Sequence, residues 1–218
     1  MEIDMLRENE FSWLLEKDKE IYPTDKPVTD SVLKNWYVRN PEFGITFRER
    51  HKIIGANIII PLNKQGWKGL IDGRLLESDC KDKFIFDNNK DSEIGIHIYH
   101  IRKESSISEF YKYAMEALTS VLLKLKNLNK LLKVIGFSGL CVTKNGIGLF
   151  FNKFNCKESA VIKNEYVLMK NNGIELAELN HFGELERKLR EGYKFITRCK
   201  MLVTYPDDPS IIWSYLNI

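Results

Sequence analysis

The sequence has no long apolar run. Its longest, IIGANIII at residues 53–60, falls far short of the roughly 20 residues that a membrane-spanning helix needs, so no membrane partner is expected. Cysteine is scarce. Cys80, Cys141, Cys156 and Cys199 stand singly, with neither the paired spacing of a metal site nor the dense pattern of a small disulfide scaffold. Charge of one sign is also lacking: the net charge is +3, and lysine and arginine are spread along the chain. With no aromatic–basic platform motif, nucleic acid is not an expected partner. Repeats are absent. The opening MEIDMLRENEF is charged and lacks the apolar core of a signal peptide. A cytoplasmic location with reduced thiols is the expectation.

What is present is an ordinary globular composition, 44% hydrophobic and 29% charged over 218 residues, enough for one sizeable domain with an appendage. Residues 1–20 read as helical, with Met5, Trp13 and Leu14 on an apolar face. Thr29 or Asp30 caps a short helix, SVLKNWYVRN, ended by Pro41. FGITFRER and IIGANIIIPL then read as a hairpin, with Pro61 closing its second strand. GWKGLIDGRLLESD reads as a structured loop or short helix and EIGIHIYHI as a strand. The clearest helix is SISEFYKYAMEALTSVLLKLKNLNK, where Phe110, Ala114, Ala117, Leu118, Val121 and Leu125 recur at steps of three and four. Ser106 and Glu109 have the spacing of a capping box at its start. KVIGFSGLCV, EYVLMK and YKFITRCKMLVTY read as strands, and ELAELNHFGELERKLREG as a helix stopped by Gly192. The order predicts a mixed α/β (α+β) domain.

Two places carry chemistry. EIGIHIYHI runs through RKESS into the long helix, and such a joint points free backbone N–H groups and the positive end of the helix dipole at one spot. Lys103, Ser106 and Ser108 have a basic-x-x-small-x-small spacing there. Phosphate binding and simple capping are both open readings of it. Further on, VIGFSGLCVTKNGIGLFFNKFN places Gly146 and Gly148 at a helix start, where each costs roughly 1 kcal/mol relative to alanine. Either the helix begins later, or backbone there approaches something closely.

These segments resemble the GNAT acyltransferases, in which a strand, a Q/R-x-x-G-x-G/A turn and a helix hold the pyrophosphate of acetyl-coenzyme A. Lys103 falls at the basic position of that turn, and Ser106 and Ser108 at its small positions. Asn145 falls at the family's cofactor-contacting Asn. LFFNKFNC is similar to the family's L-Y-x-K-x-G-F ending, with Phe151 at the Tyr position. The order of elements from about residue 20 to 170 follows the family's layout. The resemblance implies a mixed central sheet flanked by helices, with splayed core strands, in a domain of residues 1–170. Residues 171–218 are expected as a C-terminal extension packed on it. It further implies acetyl-coenzyme A as co-substrate, bound by Ile98, His100, Lys103, Ser106, Ile107, Ser108, Asn145 and Phe151. The acceptor is a small-molecule or peptide amine. Serines replace both turn glycines, and Phe151 has no hydroxyl to protonate a departing thiolate.

A base must take the proton of the attacking amine. Glu93 and His97 on the core strand and Glu77 in the acidic loop before it are the candidates. Strict alternation puts His97 and Tyr99 on one sheet face and His100 on the other, which argues against a shared metal ion. Cys141 has no readable His and acid partners, and burial is its default. Two functions stand: an acetyl-coenzyme A dependent N-acyltransferase, or a GNAT-like binding or regulatory module without transfer. Trp213, Tyr215 and Ile218 form either an interface stripe of a homodimer or a patch docked on their own domain.

Overall fold

The computed structural model describes residues 1–21, 27–104, 109–159, 165–171, 173–178 and 182–205. Their elements are β1 (Glu2–Met5), α1 (Phe11–Ile21), α2 (Asp30–Tyr37), β2 (Gly44–Glu49), β3 (Lys52–Asn63), α3 (Lys64–Ile71), β4 (Glu93–Lys103), α4 (Phe110–Leu128), β5 (Lys133–Cys141), α5 (Lys144–Asn152), β6 (Lys157–Glu158), β7 (Glu165–Lys170), β8 (Gly173–Glu178), α6 (Phe182–Arg190) and β9 (Lys194–Thr204). The strands form one sheet in the order β1-β2-β3-β4-β5-β9-β7-β8, with β6 against β9. Among the described pairings only β4 with β5 is parallel. That pair needs a crossover, and α4 supplies it. This is the mixed, helix-flanked sheet that the sequence led us to expect.

Helices cover both faces. On one, α4 buries Phe110, Ala114, Met115, Leu118, Leu122 and Leu125, and Asn57 of β3 donates to the Ala114 carbonyl. On the other lie α1, α2 and α3. Leu14 of α1, Trp36 of α2 and Trp67 of α3 are almost wholly removed from solvent. Gly95 and Gly136 make room for Trp67: a Cβ on either would lie 2.1 Å from the indole. Burying an indole of this size is worth several kcal/mol, so the two glycines serve packing here.

Four expectations need correction. Residues 2–5 form an edge strand, not the start of a helix; E-I-D-M alternates with period two, and pairing with β2 overrides local helical preference. Met5 is accordingly half exposed rather than in the core. Pro61 does not close its strand, which continues to Asn63. Its carbonyl accepts from Phe86 N–H, on the side away from β4, so the missing donor removes no bond from the β3–β4 ladder. Of the expected capping box at 106–109, Ser106 lies outside the described residues, and Glu109 does not take its place in the first turn. Glu109 is not helical but precedes α4 with φ 50°, ion-paired to Lys112 at 2.6 Å. Finally, the expected helix at 175–192 begins as strand: Gly173–Glu178 pairs antiparallel with β7, and among the described residues of that stretch Phe182–Arg190 is the helical part. Gly192, with φ +90°, ends it as expected.

Beyond residue 170, β8 and β9 belong to the same sheet, with β9 between β5 and β7. Trp213, Tyr215 and Ile218 lie outside the described residues. Among those described, no helix is long and apolar enough to cross a membrane. Cys80, Cys141 and Cys156 are buried and form no disulfide.

Candidate functional site

β4 and β5 start together and then part. Their ladder runs from Glu93↔Lys133 to His97↔Ser138 and stops there. β4 continues to Lys103, while residues 137–141 of β5 pair on their other edge with Thr204–Lys200 of β9. The last six residues of β4 thus have no strand neighbour on the β5 side among the described residues. At the fork, Gly139 permits close approach: a Cβ there would lie 2.5 Å from the Phe150 ring and 3.2 Å from the Ile98 carbonyl oxygen.

Just past the fork, β4 carries a bulge. Ile60 pairs with His97, Ile59 with Ile98, and Ile58 with His100, leaving Tyr99 as the extra residue. Because His97 and His100 oppose β3 residues two apart, they share a sheet face. The expectation that His100 lies on the opposite face is therefore wrong, and the bulge is the reason. His97, Tyr99 and His100 all point to the side covered by α1, α2 and α3. Among the described residues, no group of three His, Cys, Asp or Glu side chains is arranged to hold a metal ion.

The Glu77–Asp79 turn and α1 bring carboxylates to this face. His97 is fully buried and bonded at both ring nitrogens. Nε2 lies 2.8 Å from Glu77 Oε1, and Nδ1 lies 2.9 Å from Ser138 Oγ. Trp67 Nε1–H donates to the same Ser138 oxygen at 2.9 Å. The indole can only donate, so the serine proton is available to His97 Nδ1. His97 Nε2 and the Glu77 carboxyl share the remaining hydrogen bond of the ring. Burial pushes the Glu77 carboxyl above its ordinary range, opposed by its bond to His97 and aided by the charge of Asp18. Of the pair, His97 has no exposure and Glu77 retains 11%.

Asp18 is a buried carboxylate on the inner face of α1. The Tyr99 hydroxyl donates to its Oδ2. His100 Nδ1 lies 3.7 Å from its Oδ1. Burial first, and then the charges of Asp18 and Glu77, push the Tyr99 hydroxyl well above its usual range, so it remains a donor at neutral pH. The Trp36 ring packs edge-on against Tyr99 at 5.3 Å.

The other predicted residues are scattered. Glu93 lies at the start of β4, in an ion pair with Lys64 at 2.8 Å, at the far end of the β4–β5 ladder from the fork. Ile98 is buried at the fork, and Lys103 is exposed at the end of β4, opposite Gly55. Ser106, Ile107 and Ser108 lie outside the described residues. Asn145 is exposed in the first turn of α5. Phe151 is 37% exposed, with Lys200 Nζ 5.8 Å from its ring centre. Thr143 caps α5, accepting from Gly146 N–H at 3.0 Å, so the helix does begin before the glycines. A Cβ on Gly148 would meet nothing nearer than Asn152 at 3.8 Å.

Asp18, Ser138 and Trp67 were not singled out from sequence. A signal existed for Asp18: it follows Phe11 and Leu14 at helical spacing, which puts a carboxylate on the buried stripe. Nothing local marks Ser138 or Trp67.

No family model matches the sequence, and no curated protein matches it significantly. Solved structures similar in fold include Arabidopsis thaliana Naa50 in complex with a bisubstrate analogue. It is 10% identical with a TM-score of 0.47, and the match covers 93% of this chain and 97% of that one. Chaetomium thermophilum Naa20 in complex with a bisubstrate analogue is 8% identical with a TM-score of 0.47, covering 94% and 86%. Drosophila melanogaster polyamine N-acetyltransferase is 10% identical with a TM-score of 0.44, covering 94% and 99%.

Proposed function

We propose that this chain is an N-acyltransferase that moves an acetyl group from acetyl-coenzyme A to an amine. The observation that carries the reading is the fork between β4 and β5, with the buried Glu77–His97 pair at its closed end. The free edge of β4 offers peptide groups to the amides of an extended pantetheine arm, in the manner of an added strand. Across the gap, the first turn of α5 presents Asn145, and the open space at Gly148 lets a ligand approach its backbone. In this reading Lys103, at the end of β4, and Ser106, Ile107 and Ser108, which follow it in sequence, bind the pyrophosphate.

The chain's own residues then act as follows. Glu77 is the more exposed partner and meets the amine, while His97 behind it holds the carboxylate in place. A carboxyl raised toward neutrality is a better matched base than an ordinary one. The amine nitrogen attacks the thioester carbonyl carbon, the C–N bond forms, and the C–S bond breaks. The amine proton passes to Glu77. Sulfur departs as thiolate, and because thiols have a pKa near ~8.5, water suffices to protonate it without a hydroxyl at Phe151. Positioning supplies much of the rate. In this reading residues 1–170 carry the transfer site, the remainder packs on the same sheet, and the protein works in a reducing compartment.

The test is calorimetric titration with acetyl-coenzyme A, followed by mass spectrometry of a panel of amines incubated with both. Binding and an acetylated amine support the reading; no heat at millimolar ligand removes it. A second reading, a coenzyme A binding or regulatory module without transfer, is favoured by one observation, the absence of a hydroxyl at Phe151. Binding without acetylation of any amine would select it.

A further inference from the structure

The turn between α4 and β5 holds two leucines out in solvent. Leu128 is 77% and Leu131 76% exposed, whereas Leu125 and Leu132 beside them are buried. The turn is tightly tied. Asn129 N–H donates to the Leu125 carbonyl at 2.8 Å, Leu132 N–H to the Asn129 carbonyl at 3.0 Å, and Leu131 N–H to Asn129 Oδ1 at 3.1 Å. None of these bonds needs an apolar side chain at 128 or 131. A single exposed leucine is ordinary on a protein surface, but these two share one rigid turn and have lysines around them. Lys124 lies one helical turn before Leu128 on the same face of α4, and Lys130 and Lys133 flank Leu131. All three lysines are exposed.

Charge here is of one sign. Residues 117–133 include Lys124, Lys126, Lys130 and Lys133 and no acidic residue. The carboxylates of neighbouring segments are engaged elsewhere. Asn129 Nδ2 donates to the Asp91 carbonyl, but the Asp91 carboxylate accepts from Asp87 N–H, and Asp87 itself meets Arg39 and Lys90. Glu93, opposite Lys133 in the ladder, is paired with Lys64. Glu42 senses the charge of Lys124 without an ion pair between them. Lys130 Nζ reaches only the Asn127 side-chain oxygen among the described residues, at 3.2 Å.

We propose that this turn is a peripheral membrane site for anionic phospholipid. Leu128 and Leu131 enter the boundary between headgroups and acyl chains, and Lys124, Lys130 and Lys133 meet the negative headgroups. A protein partner would need a pocket for the two leucines and carboxylates in register with the lysines. A bilayer offers diffuse negative charge over an apolar layer and needs neither. Lying on a membrane takes no spanning helix, so the lack of a long apolar run does not bear on it. The turn is also clear of the fork: Lys133 and Glu93 begin the β4–β5 ladder, and from Glu93 to Lys103 β4 extends roughly 33 Å. Attachment therefore leaves the free edge of β4 open, and it holds whether or not the chain transfers an acyl group.

The experiment floats the full chain with vesicles of phosphatidylcholine alone and of phosphatidylcholine mixed with phosphatidylserine. Binding to the mixed vesicles is expected to be about tenfold or more tighter than to phosphatidylcholine, as several lysines near an anionic surface require. It should fall sharply in about 1 M salt, where the screening length shrinks to about 3 Å. Leu128→Ser with Leu131→Ser should keep the melting temperature and weaken binding to the mixed vesicles about tenfold or more, through the apolar area no longer buried. In the wild type, the mixed vesicles should protect residues 128–133 from hydrogen exchange and leave residues 98–103 unchanged. Equal binding to both kinds of vesicle, or to neither, overturns the proposal. So does binding that ignores the two serine substitutions, or protection that falls elsewhere than at this turn. Binding to soluble polyglutamate but not to vesicles overturns it too, in favour of an acidic protein. Failure of the acyltransferase reading shows separately, as no heat from acetyl-coenzyme A.

Discussion

Glu77 Oε1 lies 2.8 Å from His97 Nε2, joining a short turn before β4 to the fully buried middle of that strand. The turn is tied down on its own account: Asp79 accepts from Leu76 N–H, and the Cys80 carbonyl accepts from the Trp36 indole. The carboxylate is thus held by the fold against an imidazole whose far side is fixed by Ser138 and Trp67. In the acyltransferase reading proposed above, this sets the base before substrate arrives.

Glu77→Gln keeps an oxygen for His97 but removes the charge. Acetyl transfer is expected to fall by about 10²–10⁴-fold, the usual contribution of a positioned base. Stability moves the other way. The carboxyl is raised in the fold, so its protonated form is favoured there; that contribution is complete below the ordinary carboxyl range and is lost as pH rises through the raised folded value. Urea melts of the wild type should therefore lose stability as pH rises above the ordinary carboxyl range, and those of Glu77→Gln should lose less.

Glycines at the site divide into two kinds. Gly95→Ala would push a Cβ to 2.1 Å from Trp67, and it is expected to cost about 1–3 kcal/mol through overpacking. At Gly148 there is room, so Gly148→Ala should stabilise by up to about 1 kcal/mol through its higher helix propensity. Gly148→Leu should keep the melting temperature and weaken acetyl-coenzyme A binding. Thermal melts beside titrations separate packing from ligand approach.

Cys80 is buried in contact with the Glu77 turn. Burial, and then the negative charges of Glu77 and Asp79, push its thiol far above the ordinary range. Iodoacetamide at pH 8 should leave Cys80 unmodified in the folded chain and label it in urea, as read by mass spectrometry.

Tyr99→Phe removes the donor to Asp18 and leaves a buried carboxylate short of one bond. A loss of about 1–3 kcal/mol is expected, and the chain should retain its acetyl-coenzyme A affinity.

β2, β3, β4, β5, β7, β9, α2 and α4 were legible because hydrophobic period is a local signal. Glu77 and His97 were each recognisable as candidates, but their contact was not, since it depends on a turn 20 residues upstream folding back over β4. The face of His100 was misread because a one-residue bulge is set by pairing with β3 and leaves no mark in Y-H. Likewise G-I-E-L-A-E suits a helix, and becomes a strand only through its ladder with β7. Asp18 required knowing that the stripe from Phe11 and Leu14 packs on the sheet.

Amide hydrogen exchange with and without acetyl-coenzyme A tests the central claim most directly, because it reads the free edge of β4 itself. The account predicts added protection over Ile98–Lys103 and at the start of α5, with Glu93–Ile96 unchanged. Unaltered exchange in both segments at millimolar ligand would contradict it.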